Sequence, residues 1–375
     1  MGGKRIAIAC QGGGSQCAFV AGALKRLFAE KVDERFRIVG LSGTSGGALT
    51  AAVAWQGLLA RAHGDRTPIE DRIDAFWKDL TAQTPQEIAM DRAGVQLMRL
   101  VERGWLPSVA RSPSSPGVRF GMQLVSRMLG RAEFTDLRAV LEKHMSFDTL
   151  GSLLEPDSPT LLAGACDVLE GTFKTFSSAL REISVDSLLA SAAIPNLFPA
   201  VWVEGHPYWD GIFSSNPPVA DLLRTKLMGQ SPLPEEIWIV QVNRSRHDTV
   251  PERPSEIFDR RNHLAGNLSL QHELQLIEVI NLLLQAGILT DELRARFGLD
   301  MKEIITVRFI RMSKDLEQSL DYPSKLSRQP AHIERLMANG DAQAAAFLAG
   351  VPAAGRPSEQ RLPEYNIQEA SMGIH

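Results

Sequence analysis

The hydrophobic pattern of the first sixty residues alternates between short apolar runs and amphipathic stretches. Residues 5–10 and 36–41 are β-rich apolar runs, whereas residues 17–29 and 45–60 place apolar side chains at helical spacing. This pattern predicts the order β-α-β-α. Such an order is typical of a parallel sheet that is covered by helices.

Beyond residue 60 the strand and helix signals continue with less regularity. Residues 62–131 hold helical pieces and a Pro- and Ser-rich segment at 111–117, which we expect to be exposed. The segment from residue 350 onward carries Pro, Gly and charge, and we expect it to be loosely held. The further predicted strands are 161–169, 172–176, 201–203, 207–209, 236–243 and 304–310. The further predicted helices are 69–80, 95–103, 185–193, 267–289 and 333–348.

Composition and charge narrow the class of protein. Of the 375 residues, 44% are hydrophobic and 22% are charged, which is ordinary for a globular chain with a sizeable core. The net charge of −4 leaves no basic excess that could bind a nucleic-acid backbone. We therefore expect no nucleic-acid partner.

Cysteine usage and the lack of targeting signals suggest a compartment. Three cysteines cannot all pair and none lies in a C-x-x-C motif, so neither a disulfide framework nor a zinc ribbon is expected. The N-terminal residues show no signal-peptide core, and the apolar stretch at 188–203 is interrupted by Ser, Pro and Asn. We expect a cytoplasmic protein, with peripheral association at membranes left open. No cluster has metal-ligand spacing, so we expect no metal and no cofactor.

Residues 43–47 form a G-x-S-x-G motif with Ser45 at its centre, between a predicted strand and a predicted helix. A serine on such a tight turn is held in a strained backbone conformation, and small neighbours avoid clashes. Its hydroxyl then projects near the positive end of a helix. Ser45 is therefore a candidate nucleophile, although a Gly- and Ser-rich loop can also simply bind an anion.

Gly12, Gly13 and Gly14 directly follow the first predicted strand. Three glycines let the backbone approach a ligand closely and can aim successive N–H groups at one anion, such as the oxyanion of an attacked ester. The dinucleotide fingerprint G-x-G-x-x-G fails because Cys17 stands where its third glycine is needed, and no Walker motif is present. The glycine run is therefore a candidate oxyanion hole.

Asp210 precedes Gly211 in an aromatic segment that follows a predicted hairpin. A carboxylate in a partly dry site could accept the proton of a serine hydroxyl. Asp-Gly is also a favoured turn dipeptide, so this motif alone favours an ordinary turn. Asp210 becomes a candidate base in combination with the other two motifs.

The glycine run, the serine turn and the late Asp-Gly, taken in that order, resemble the patatin-like phospholipases. Residues 191–195 resemble the family's S-x-A-x-x-x-P-type segment, and Asp167 with Gly171 resembles the strand and turn before it. The resemblance covers residues 5–219 in ordered pieces. Together these motifs are more specific than any one of them.

The resemblance implies an α/β fold of three layers, α/β/α, with a mainly parallel central sheet. Its catalytic domain would span residues 1–312, with a helical and loop insertion at about 62–131 as a candidate lid. Residues 313–375 would form a C-terminal helical extension and tail. A lipid or a membrane surface would be the partner of such a protein, and a homo-oligomer is left open.

The resemblance also implies a mechanism when it is carried over residue by residue. Ser45 would be the nucleophile and Asp210 its base, so that no histidine is needed. Gly12, Gly13 and Gly14 would supply the oxyanion hole. The implied substrates are carboxylic esters of phospholipids or lysophospholipids, cleaved through an acyl-serine intermediate.

The sequence departs from the family pattern around the glycine run and the aspartate. Gln16 and Cys17 stand where the family usually has a basic residue and a glycine, and the missing charge could alter affinity for acidic head groups. Ile212 follows Asp210 and Gly211 where the family has Gly or Ala, and its bulk could crowd the acid.

Other interpretations stay open at this point. A Ser-His-Asp triad could use His247, His263 or His332 in the α/β-hydrolase order. Against it, only one predicted strand precedes the strand that leads into the motif of Ser45, and the glycine run directly follows that first strand. Cys17 could act as a thiol nucleophile, although a small buried hydrophobe is the simpler interpretation. The chain could also be a lipid-binding or interaction module with a decayed site, or an acyltransferase.

Overall fold

A mixed β-sheet forms the centre of the molecule. The structure is a computed structural model, and it describes residues 3–106, 112–117, 120–121, 131–195, 197–298 and 304–351. Within these ranges the strands β1 to β8 are Arg5–Cys10, Arg37–Thr44, Thr160–Asp167, Phe173–Ser177, Val201–Val203, His206–Asp210, Glu236–Gln241 and Thr306–Arg311. Their order in the sheet is β5-β6-β3-β2-β1-β7-β8, and β4 also pairs with β3.

The strands at the centre of the sheet are parallel. β1 pairs in parallel with β2 and β7, β2 with β3, and β7 with β8. β4 and β6 run antiparallel to β3, and β5 runs antiparallel to β6. The carboxyl ends of parallel strands meet at one edge of a sheet, which is where α/β proteins place their ligands. Here that edge carries the loops after β1 and β2, which contain the glycine run and Ser45.

Helices pack on both faces of the sheet. Alternate residues of β1 belong to two separate hydrophobic cores, with Ile6 and Ile8 in one and Ala7 and Ala9 in the other, as expected for a strand that is buried on both sides. The predicted three-layer α/β/α fold with a mainly parallel sheet is thereby confirmed. The helices α1 to α14 are Ala18–Ala29, Val32–Arg35, Gly46–Ala62, Ile69–Leu80, Pro85–Glu102, Ala132–Thr135, Leu137–His144, Phe147–Leu153, Val185–Ser191, Thr225–Met228, Pro254–Gln285, Asp291–Phe297, Lys314–Ser319 and Pro330–Gly350. Short 3-10 helices are Gly14–Cys17, Gly211–Phe213, Ala220–Leu223 and Tyr322–Lys325.

The helices α1 and α14 pack with their backbones almost in contact. A Cβ atom added at Gly22 in α1 would overlap the carbonyl oxygen of Met337 in α14, and one added at Gly340 would overlap the carbonyl oxygen of Phe19. Leu336 of α14 is fully buried in the same core as β1. The last helix is thus part of the layer that covers one face of the sheet.

Several element boundaries differ from those that the sequence predicts. The predicted helix 69–80 is found with the same bounds. The long helix α11, predicted from residue 267, begins at Pro254, because the first helical turn tolerates proline, whose missing N–H would have no partner there. Residues 260–263, which include Arg260 and Arg261, therefore lie on this helix. The helix α5 begins earlier than predicted for the same reason, at Pro85.

Residues 62–131, the predicted insertion, contain α4 and α5. Residues 107–111, 118–119 and 122–130 of this stretch lie outside the described residues, so its role as a lid stays a prediction. The domain boundary at residue 312 also stays a prediction, and most of the predicted tail lies outside the described residues. Among the helices that the structure describes, none combines the length and the apolar character needed to cross a membrane.

Candidate active site

Ser45 lies on the tight turn between β2 and α3. Its φ of +56° and ψ of −137° lie in a region that L side chains rarely adopt, so the backbone is strained there. The glycines beside it are required by close backbone contacts. A Cβ at Gly43 would lie 2.6 Å from the backbone of Ala48, and a Cβ at Gly47 would overlap the carbonyl oxygen at the end of β1. The spacing of the G-x-S-x-G motif is thus explained by steric contacts.

Asp210 lies at the end of β6, and its side chain is completely buried. Its Oδ1 atom accepts a hydrogen bond from the N–H of Ile212 at 2.9 Å, whereas Oδ2 has no hydrogen bond of regular geometry within the described part of the chain. Burial raises the pKa of Asp210 to about 7, although the nearby Ser45 hydroxyl acts in the opposite direction. The structure thus brings together the two side chains that the sequence motifs single out.

A segment at the end of α9 holds the backbones of both residues. The N–H of Ser45 donates to the carbonyl oxygen of Ser191 at 3.0 Å and lies 3.2 Å from Ser191 Oγ. The N–H of Asp210 donates to the carbonyl oxygen of Ala193 at 3.0 Å. This segment belongs to residues 191–195, one of the pieces on which the family resemblance rests. Its carbonyl groups fix the serine turn and the end of β6 to the same short stretch of chain.

The glycine run passes directly beside the serine turn. A Cβ at Gly12 would lie 2.9 Å from the Cβ of Ser45 and 2.6 Å from the carbonyl oxygen of Thr44. Gly14 has a φ of +58°, and a Cβ there would overlap the carbonyl oxygen of Lys325. The run therefore needs glycine for two separate close approaches.

The amides of the three glycines differ in what they contact. The N–H of Gly12 donates to Asn216 Oδ1 at 2.6 Å. The N–H of Gly13 lies close enough to the Cys17 sulfur to lower the pKa of the thiol, and a thiol sulfur is a weak acceptor. The N–H of Gly14 has no acceptor among the described residues. The Gly12 amide is therefore engaged by an amide oxygen, whereas the Gly13 amide meets only a weak sulfur acceptor and the Gly14 amide has no acceptor in the described part of the chain.

A buried network of side-chain amides holds the other side of this loop. Gln11 Oε1 accepts hydrogen bonds from two backbone N–H groups after β7, at 2.9 and 2.7 Å. Gln11 Nε2 donates to the carbonyl oxygen of Gly266 at 3.0 Å and to Asn267 Oδ1 at 2.9 Å. Asn243 Nδ2 donates to the carbonyl oxygen of Gly12 at 2.9 Å. A buried network whose hydrogen bonds are all made keeps a site rigid. The sequence does not predict this network, because its Gln and Asn residues are far apart along the chain and follow no regular spacing.

Lys325 enters the site from the C-terminal part of the chain. It is 5% exposed, and its Nζ donates to Asn243 Oδ1 at 2.7 Å. Its carbonyl group packs against Gly14, and Gln16 Nε2 donates to the neighbouring Ser324 Oγ at 2.9 Å. Sequence reasoning missed this residue because nothing in the pattern relates a lysine so far along the chain to the glycine run.

The described residues argue against two of the alternative chemistries. No histidine among them forms a hydrogen bond with Ser45 or Asp210, as a Ser-His-Asp triad would require. Burial raises the pKa of the Cys17 thiol to about 12, so this sulfur is neutral and a poor nucleophile near pH 7. Ser45 and Asp210 therefore remain the candidate reactive pair of this site.

The site is closed to solvent. Ser45 is 3% exposed and Asp210 is fully buried. Two surface clefts of the described residues are lined by other side chains and include neither residue.

A serine on a strained strand-to-helix turn, a buried carboxylate beside it and a glycine loop on the preceding strand define a class of α/β proteins with a serine-centred site. A family model described as Patatin-like phospholipase matches residues 8–223, and the chain belongs to this family of lipid acyl hydrolases. Among curated proteins, no match to the chain is found. The matched range contains Ser45, Asp210 and the glycine run, but it ends before α11 and Lys325.

Proposed function

We propose that this protein cleaves carboxylic ester bonds of phospholipids or lysophospholipids through an acyl-Ser45 intermediate. The observation that carries the proposal is the buried Asp210 carboxyl beside Ser45, in a chain of a lipid hydrolase family. A pKa of about 7 suits a base that must accept a proton and return it near neutral pH. The substrate is thus a lipid, presented by a micelle or a membrane surface.

In the first half-reaction, Ser45 Oγ attacks the ester carbonyl carbon while its proton passes to the Asp210 carboxylate. The carbonyl electron pair moves to oxygen, and the Gly13 and Gly14 amides would donate hydrogen bonds to that oxyanion. The intermediate then collapses, the bond to the alcohol breaks, and the alcohol takes the proton from Asp210. Water repeats the sequence on the acyl-serine, releasing the fatty acid and restoring Ser45 and ionised Asp210.

A panel of lipid classes with wild type and Ser45→Ala tests the proposal. We expect the wild type to release fatty acid from phospholipids or lysophospholipids, and Ser45→Ala to fall to the uncatalysed background. Ser152→Ala, at an exposed serine on α8, is the matched control and should keep full activity. A Ser45→Ala variant that keeps most of the activity would refute the assignment of the nucleophile.

Two further measurements separate the alternatives that the sequence leaves open. Labelling of the wild type, but not of Ser45→Ala, by a fluorophosphonate probe would support covalent catalysis, whereas a lipid-binding module with a decayed site would not be labelled. Formation of a new ester with an added alcohol, in place of free fatty acid, would assign acyl transfer.

A further inference from the structure

Lys325 is a buried cation that has no ion-pair partner among the described residues. Its one hydrogen-bond acceptor in that part of the chain is Asn243 Oδ1, so two of the three ammonium N–H groups lack a protein acceptor. Burying an ammonium group without an opposite charge is costly. A group kept in such a place beside reactive residues is a candidate for binding a ligand.

The Lys325 ammonium group belongs to the surroundings of the reactive pair. Asn243, which accepts its hydrogen bond, also donates to the carbonyl oxygen of Gly12. The carbonyl oxygen of Lys325 packs against Gly14. The positive charge is also close enough to Asp210 to lower the pKa of that carboxyl. The lysine is thus connected to both ends of the glycine run and to the base.

The other titratable groups near Lys325 do not neutralise it by direct contact. Burial lowers the pKa of Lys325 to about 8, against the opposing effects of Cys17, Asp259 and Asp210. Burial raises the pKa of Asp259 to about 6 and that of Asp210 to about 7, so Asp259 is mostly ionised and Asp210 partly ionised at pH 7, but neither carboxyl forms an ion pair with the lysine within the described part of the chain. Burial lowers the pKa of His263 to about 3, so this ring is neutral. At pH 7 the ammonium form of the lysine predominates, and its charge is available to an anion.

We propose that Lys325 binds the phosphate group of the substrate, next to the carboxylic ester that Ser45 attacks. This inference rests on the proposed hydrolase function and assigns to Lys325 the selection of phosphate-bearing lipids over neutral acylglycerols. Gln16 Nε2 donates to Ser324 Oγ at 2.9 Å, and this contact fixes the segment that carries the lysine.

Two lipids that differ only in the phosphate test this assignment. 1-Oleoyl-lysophosphatidic acid and 1-oleoylglycerol share the acyl chain, the glycerol and the ester, and both are offered in the same neutral detergent micelles. We expect Lys325→Met to lower kcat/KM for the phosphate lipid about tenfold or more, mainly through KM, and to change the neutral lipid less than about twofold. Lys325→Arg, which keeps the charge, should retain most of the preference. Lys226→Met makes the same change at an exposed lysine and should alter neither rate.

The outcomes separate the role of Lys325 from the proposed function. Equal losses on both lipids would mean that the lysine acts on the reactive pair, and no loss on either would mean that its charge is unused; each result overturns the inference. If the wild type hydrolyses neither of these lipids nor any lipid of the panel, the hydrolase function fails. Binding of the two lipids to Ser45→Ala is then compared with binding to Ser45→Ala/Lys325→Met. A preference for the phosphate lipid that the double variant loses supports Lys325, and equal binding overturns it. Thermal unfolding of each variant checks the fold, and Lys325→Gln replaces Lys325→Met if the latter does not fold.

Discussion

At the scale of single residues, the protonation state of Asp210 controls the proposed chemistry. Asp210 must be ionised to accept the serine proton, so we expect kcat/KM for a lipid ester to rise with pH through about 7. Asp210→Asn should lower the rate at pH 8 by about 100-fold or more, because it removes the base. Initial rates from pH 5 to 9 test this. A flat profile, or an Asp210→Asn variant near the wild-type rate, would assign the base to another group.

The same pKa predicts how stability depends on pH. Burial raises the pKa of Asp210 from 3.8 to about 7, so between these values the folded state holds a proton that the unfolded state has released. The free energy of unfolding therefore falls as pH rises through this window. Asp210→Asn cannot ionise, so its Tm relative to wild type should be higher at pH 8 than at pH 4. Thermal unfolding at the two pH values measures the difference, and the opposite order would show that folded contacts stabilise the carboxylate.

Cys17 offers a test of the thiol alternative. The pKa of its thiol is about 12 because of burial, so the thiolate is scarce at pH 7. We expect Cys17→Ala to keep the ester hydrolysis rate within about threefold, since it removes only a small buried group. Iodoacetamide should leave Cys17 unmodified in the native protein, as mass spectrometry of peptides would show, while the half-buried Cys166 serves as the internal reference. Loss of all activity in Cys17→Ala would reopen the thiol interpretation.

Single residues were predictable from the sequence where a motif fixes their spacing. Ser45 and Asp210 were singled out because a tight turn and an Asp-Gly pair carry local patterns, and the structure brings them together. Asn216 and Asn243 were not singled out, because a side chain that bonds to a backbone far along the chain leaves no local pattern. For the same reason the sequence could not show that the Gly12 amide is already occupied.

At the scale of elements, Gly340 and Gly94 are both helical glycines, but only Gly340 lies at the contact between α1 and α14. A Cβ at Gly340 would overlap the carbonyl oxygen of Phe19, whereas Gly94 in α5 has nothing within 4 Å of the added atom. We expect Gly340→Ala to lower the free energy of unfolding by about 1–3 kcal/mol through overpacking. Gly94→Ala, the matched control, should raise it by about 0.5–1 kcal/mol, because alanine favours the helix. Denaturant unfolding measures both, and equal effects would contradict the packing of these helices.

Elements were predictable where apolar periodicity coincides with clear ends. The helix at 69–80 and the strand at 5–10 have the predicted bounds because turn residues or polar residues flank them. The predicted start of α11 was wrong. A proline usually indicates the end of a helix, but in the structure Pro254 is the first helical residue. The segment at 191–195 resembled the family, but its use as a backbone anchor for two strand ends could only be seen in three dimensions.

At the scale of the whole molecule, the C-terminal part of the chain belongs to both the core and the site. Leu336 is buried against the first layer, and Lys325 packs on the glycine loop. We expect a chain that ends at residue 312 to lose ester hydrolysis because it lacks Lys325. We expect it to unfold at a lower temperature because it lacks the buried Leu336. A chain that ends at residue 351 should keep the activity and the Tm of the full protein. Full activity in the shorter chain would contradict the place of Lys325 in the site.

The overall architecture was predictable because it follows from local patterns in the order β-α-β-α. The family was predictable because three motifs within the matched range carry the resemblance. The contribution of residues beyond 312 was not predictable. The close contact between Gly22 and Met337 joins two helix surfaces that meet only after folding. The spacing of apolar residues along the sequence does not indicate which surfaces will meet. The lid at 62–131 remains a prediction at this scale.

The position of Lys325 against Gly14 has a consequence for the timing of biosynthesis. A polypeptide growing on the ribosome acquires Ser45 and Asp210 long before it acquires Lys325, whose carbonyl group packs on the glycine loop. Domains generally form as units while translation proceeds from the N-terminus. The glycine loop would therefore reach its final packing only after the segment around Lys325 has been synthesised and has folded back onto it.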